Sequence, residues 1–145
     1  MKGGDLSNEV APSSIIIWEG LLALPTLGSD RARKLAHRLH RYKTVISHYE
    51  ANEWALKQVH DAAYRYGVRF DVVSYLPVEY EDIITEWCDR YSLAYKSVFC
   101  STPGEVSKMT TAPFLESVID ADLKRYLFYG GKGRCVDPET FSWMG

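Results

Sequence analysis

Cysteine is scarce: only Cys88, Cys100 and Cys135 occur in 145 residues. The odd count and the lack of any C-x-x-C spacing argue against a disulfide framework or a cysteine-rich zinc site, and make a reducing, cytoplasmic setting the expectation. No apolar run approaches the roughly 18 residues that a membrane helix needs, so no membrane partner is expected. The polar N-terminus, Met1 to Pro12, lacks the apolar stretch of a secretory signal. Positive charge is not in excess either. With 17 Lys and Arg against 19 Asp and Glu the formal net charge is −2, which does not support binding to nucleic acid through overall basicity. There is no internal repeat and no low-complexity stretch.

What remains is the composition of an ordinary folded domain, 46% hydrophobic and 25% charged, which argues against wholesale disorder. The length suits a single domain, read here as residues 14–145 behind a flexible tail of residues 1–13. Ten Tyr and four Trp bring the aromatic share to 13% and hint at an adhesive surface.

Short β-branched runs alternate with amphipathic stretches. Strands are expected at Ser14–Trp18, Thr44–Ser47, Val68–Ser74, Ser97–Cys100 and Arg125–Tyr129, with Arg134–Val136 as a possible last short strand. Helices are expected at about Arg31–Arg41, Asn52–Tyr66, Glu79–Tyr91 and Ala112–Leu123. The first of these has an apolar stripe of Ala32, Leu35, Ala36, Leu39 and Tyr42, and the third has the cleanest period in the chain. Ser101 to Thr111 reads as a polar loop. Such alternation predicts an α/β fold: a three-layer sandwich around a mainly parallel, five-stranded Rossmann-like sheet. Ligands of such sheets sit beyond the carboxyl ends of the strands, so the loops after Trp18, Ser47, Ser74, Cys100 and Tyr129 are the ones to inspect.

From Ser14 to about Phe141, the order of those elements resembles a capless haloacid-dehalogenase-like (HAD-like) domain, a phosphatase fold. That family's first strand ends in Asp-x-Asp-Gly followed by apolar residues, and the matching stretch here is Ile17-Trp18-Glu19-Gly20-Leu21-Leu22-Ala23. Gly20 fits, Glu19 stands at the general-acid position, and Ile17 replaces the nucleophilic Asp. Ser47, ending Thr44–Ser47, matches the family's phosphate-binding Ser or Thr. Lys108, ahead of Thr111-Ala112-Pro113-Phe114-Leu115, matches its Lys. The acidic pair that holds magnesium is expected after Arg125–Tyr129, where Gly130 and Gly131 stand instead. A second alignment takes Asp120 and Asp122 as that pair. The first is preferred because it keeps the run from Ala112 helical and Tyr126–Tyr129 a strand.

An aspartyl-phosphate mechanism needs a carboxylate to attack phosphorus, and Ile17 has no lone pair. Magnesium needs several hard oxygen ligands, and on the preferred alignment only Glu19 remains. The resemblance therefore implies a scaffold that has lost phosphotransfer, with Glu19, Ser47 and Lys108 as relict candidates. Gly20, Ser47 and Lys108 form a possible anion cradle. No metal site and no cofactor are expected, unless magnesium in a surviving enzyme.

Other features have a bland reading beside a functional one. Arg31–Lys43 carries six Lys or Arg, two His and no acid, so Arg31, Arg33, Lys34, Arg38 and Arg41 could grip a nucleic-acid backbone, or simply form a solvated face. His37 and His40 lie three apart, but no third metal ligand is evident. His48 follows Ser47 and reads as a polar loop residue or as an acid or base. Gly130–Gly133 reads as a tight turn between strands, since it does not match the Walker pattern. The apolar terminus places Phe141, Trp143 and Met144 as anchors for the domain itself or for a partner.

The leading expectation is a catalytically degenerate HAD-like domain that works by binding another protein or copies of itself. Its small size and eroded site suit a viral or phage accessory or structural protein, in which case the setting is the host cytoplasm. The alternatives are a residual magnesium-dependent phosphatase acting on phosphate monoesters or nucleic-acid ends, and a nucleic-acid-binding module using the 31–43 helix.

Overall fold

The structure is a computed structural model and describes residues 13–113, 115–122, 125 and 127–138. Five parallel strands form its central sheet: β1 (Ser13–Ile17), β4 (Phe70–Ser74), β5 (Tyr95–Cys100), β6 (Leu115–Asp120) and β7 (Gly133–Cys135), in the spatial order β5-β4-β1-β6-β7. The chain adds β4 and β5 on one side of β1, then returns to its other side with β6 and β7. Strand order therefore reverses between β1 and β6, where α/β sheets open a crevice at their carboxyl ends.

The sequence of β1 explains its central place. Ile15, Ile16 and Ile17 are fully buried, as a strand covered on both faces requires. Alternation sends their side chains to opposite sides. Ile16 and the following Trp18 join Ala55 and Val59 of α3 (Glu53–Tyr66) and Ile84 and Trp87 of α4 (Glu81–Arg90). Ile15 and Ile17 join Val106 of α5 (Pro103–Met109), together with Tyr129. Helices thus cover both faces, and the expected three-layer α/β sandwich is what forms.

Local signals set the boundaries. α3 stops at Gly67, whose φ of 68° admits the left-handed turn in which Gly67 N–H reaches Ala63 O and Val68 N–H reaches Ala62 O. α5 begins with a capping box: Thr102 Oγ1 accepts from Glu105 N–H, and the Glu105 carboxylate accepts from Thr102 N–H, with Pro103 in the first turn. β2 (Ala23–Pro25) and β3 (Tyr49–Ala51) form a separate antiparallel pair. Between them runs an excursion that carries α1 (Asp30–Arg38) and α2 (Tyr42–Ser47).

Five expectations are corrected. Thr44–Ser47 is not a strand but lies in α2, where Val45 and Ile46 are buried. Four residues are too few for periodicity to separate a buried strand from one helical turn, and packing decided it. Ala112–Leu123 is not a helix, because Leu115–Asp120 is strand β6 between β1 and β7. Leu115, Val118 and Ile119 have helical spacing, yet in a doubly covered strand neighbouring apolar residues are buried regardless of alternation. Arg125–Tyr129 is not a sheet strand either: Leu127–Lys132 is a 3-10 segment. Gly130–Gly133 is therefore not a turn between two strands, since Gly130 lies within that segment and Gly133 opens β7. Ser101–Thr111, expected as a loop, contains α5.

Candidate functional site

The strand ends flanking the switch point bring together residues from four segments. Beyond Ile17 the chain turns sharply: Ala23 N–H donates to Trp18 O at 2.9 Å and Gly20 N–H to Ala23 O at 2.8 Å. Gly20 has a φ of 85°, a region L side chains disfavour, and sits close to the Arg125 guanidinium. That turn aims Glu19 across the end of β4. Its carboxylate accepts Ser74 Oγ–H at 2.8 Å and Tyr75 N–H at 3.1 and 3.2 Å. Burial pushes the Glu19 pKa above the ordinary carboxylate range, against the opposing pull of these hydrogen bonds and of Arg125.

At the end of β6, Asp120 is fully buried. Arg125 donates to it twice, Nε to Oδ2 and Nη2 to Oδ1, both at 3.0 Å. Tyr129 O–H donates at 2.7 Å and Asp122 N–H at 3.1 Å. Arg125 also lies 5.1 Å from the centre of the Tyr75 ring, and its backbone N–H donates to the Asp122 carboxylate at 3.1 Å. The Tyr75 and Tyr129 hydroxyls meet at 2.5 Å. Burial, with Asp120 adding to it, holds the Tyr75 phenol up at about 12, and the Tyr129 phenol is raised for the same reasons. One guanidinium thus links the ends of β1, β4 and β6.

A divalent cation does not fit this donor set. Both Asp120 oxygens face N–H and O–H donors, and Glu19 faces Ser74 and Tyr75. Among the described residues, no group of three or more His, Cys, Asp or Glu is placed to hold a metal ion. What the cluster does offer is a buried carboxyl disposed to keep its proton, beside a neutralised carboxylate.

The sequence located this cluster only partly. Glu19 and Gly20 are in it. Ser47 is not at a strand end: it closes α2, exposed, with its hydroxyl on Thr44 O at 2.5 Å. Ser74 holds the position that was sought for Ser47, at the end of β4. Lys108 is exposed in the last turn of α5 and is not among the partners of Glu19 or Asp120 described above. The acidic pair was sought at Gly130 and Gly131, but the strand that ends beside β1 is β6, so Asp120 and Asp122 stand there. Tyr75, Arg125 and Tyr129 had no signal in the sequence beyond lying near strand ends.

The basic helix divides. Arg31, Lys34 and Arg38 are exposed on α1, and Arg41 follows it. Arg33 turns inward, with Nε on Ser29 Oγ at 3.0 Å and the guanidinium 5.3 Å from the Tyr49 ring centre. His37 and His40 do not converge: His37 Nδ1 meets Tyr80 Oη at 2.7 Å, and His40 stacks on Tyr42. His48 follows α2, its carbonyl accepting Thr26 N–H. Phe141, Trp143 and Met144 lie outside the described residues. No helix among the described residues is long and apolar enough to cross a membrane. Compared with protein-family models, curated proteins and solved structures, the chain finds no match.

Proposed function

We propose that this chain is a catalytically degenerate HAD-like domain that acts by binding a protein partner or further copies of itself. The observation that carries the reading is Ile17. At the end of the central strand, where the resemblance calls for an attacking carboxylate, stands a fully buried hydrocarbon side chain. No group there can form a phosphoryl intermediate. The presence of Asp120 at the end of β6 and of Asp122 just beyond it removes one part of the case for lost chemistry. Arg125 supplies another in its place, a built-in cation that engages Asp120 at both oxygens.

Support for a binding role comes from α1. Of its residues only Ala36 is buried, while Leu35 and Leu39 are 51% and 56% exposed. Leu27, just before α1, is fully exposed. Apolar side chains gathered on one excursion are what an interface with another protein uses. The test pairs two measurements on the full chain. A generic phosphate ester with magnesium should show no turnover above buffer, and light scattering should show an assembly larger than the monomer. Turnover that disappears in Glu19→Ala overturns the reading.

A second reading, a residual phosphatase, is favoured by the raised pKa of Glu19 alone. A carboxyl whose pKa burial raises holds its proton more firmly than an ordinary glutamate, the direction that a group protonating a leaving group requires. The same assay decides between the two.

A further inference from the structure

Away from the strand-end cluster, α1 and α2 face the loop after β4 across a cavity of about 520 Å³. This lies within the roughly 300–1,000 Å³ typical of small-molecule sites. Neither Glu19 nor Asp120 nor Arg125 lines it. One wall is apolar and aromatic, made by Val45, Leu76, Pro77, Tyr49 and Tyr80. The other, from α1, is cationic: Arg33, Lys34 and Arg38, with His37 between them.

These groups are held in place before any ligand arrives. The Arg33 guanidinium rests over the Tyr49 ring and is tied to Ser29, with Asp30 at 3.5 Å. The His37 ring lies nearly parallel to Tyr80, 12° apart with centroids at 5.7 Å, and its Nδ1 is engaged by the Tyr80 hydroxyl. Three cations share a single lining carboxylate, Asp30, which pairs with Lys34 at 3.2 Å. Among the described residues Arg38 has no ion-pair partner.

We propose that this cavity binds a small ligand consisting of a planar ring with a pendant anionic group, phosphate or carboxylate. The ring would lie against Leu76, Pro77 and Tyr49, and the anion would face Lys34 and Arg38, with Arg33 behind them. Two features favour a small anion over a nucleic-acid strand. The cationic groups line a concavity rather than a ridge, and the chain as a whole carries a net charge of −2, which repels an extended polyanion. The site is independent of the protein-binding reading above.

The test is calorimetric titration of the full chain at about 0.1 M salt, with AMP and indole-3-acetate as ring-bearing anions and with adenosine and inorganic phosphate as the separated halves. Saturable binding of either ring-bearing anion, tighter than either half, is expected, and the one that binds identifies the anionic group. Backbone amide shifts in an NMR titration should centre on Tyr49, Leu76 and Tyr80. Lys34→Gln with Arg38→Gln, both on exposed positions, should weaken binding by on the order of tenfold at an unchanged melting temperature. Three results overturn the proposal: no saturation by either anion, inorganic phosphate binding as well as AMP, or an affinity unchanged in the double variant. An oligonucleotide that binds far more tightly than AMP, with a steep salt dependence, overturns it in favour of a nucleic-acid surface.

Discussion

The guanidinium of Arg125 grips the buried carboxylate of Asp120 at two points, Nε on Oδ2 and Nη2 on Oδ1, each at 3.0 Å. A paired geometry of this kind is the strongest form of the interaction. It also fixes Arg125 over the Tyr75 ring. The clasp therefore pins the segment after β6 to the loop after β4 and fills the crevice between them with a charge the protein itself supplies.

Removing one partner leaves the other buried and charged. Arg125→Ala should lower stability by about 3–5 kcal/mol, because Asp120 keeps only the Tyr129 hydroxyl and the Asp122 amide to offset its charge. Replacing both residues by leucine should cost less than the sum of the two single changes. Urea unfolding of Arg125→Ala, Arg125→Leu, Asp120→Leu and the double leucine variant measures this. A loss under about 1 kcal/mol for Arg125→Ala would mean that the clasp adds little.

Glu19 makes stability depend on pH. Because burial raises its pKa in the fold, the folded chain holds this proton more firmly than the unfolded chain does. The resulting stability is fully present below the ordinary glutamate pKa and is lost as pH rises through the raised value. Glu19→Gln cannot ionise. Its stability relative to the parent should thus improve as pH rises above the ordinary glutamate range and level off once pH passes the raised value. Urea midpoints for both proteins across that span of pH provide the comparison, and a constant difference would show a carboxyl that ionises freely.

How much of this was visible in the sequence depended on which competing signals a residue carried. β1 was legible as a β-branched run, and β4 and β5 as short apolar runs bounded by polar or turn residues. α3 and α4 were legible because apolar residues recur on one face. β6 was not, since Leu115, Val118 and Ile119 fit a helical stripe and only their place between β1 and β7 makes them a strand. That single error displaced the search for an acidic pair from Asp120 to Gly130. Ser47 and Ser74 both follow a pair of β-branched residues, and tertiary packing alone distinguishes the helix end from the strand end. Leu35 and Leu39 have core spacing yet face outward, which no single-chain period can reveal. The start of α5 carries a capping signature, Thr102-Pro103-Gly104-Glu105, whose Pro and Gly made the segment read as a loop.

That signature leads to a third expectation. Thr102→Ala removes the acceptor for Glu105 N–H and should cost about 1 kcal/mol, while Thr102→Ser should restore most of it. The loss should also loosen Val106, which α5 buries against Ile15 and Ile17. Hydrogen exchange across α5, alongside urea unfolding, separates local fraying from global loss. Equal stability of all three proteins would show that Pro103 alone fixes the helix start.

The fourth expectation concerns the exposed face of α1. Leu35 and Leu39 are about half exposed and lie four residues apart, Leu35 on α1, whose one buried residue is Ala36, and Leu39 as its C-cap. Glutamate is nearly as good a helix former as leucine, so Leu35→Glu with Leu39→Glu should leave stability within about 0.5 kcal/mol of the parent. If these side chains are the contact through which the chain assembles, the paired change puts two like charges into the middle of the interface, and light scattering should then report the monomer alone. Assembly that persists in the variant would move the interface elsewhere. A large loss of stability would instead mean that the two leucines pack within the domain, leaving α1 without the free apolar face on which the binding role rests.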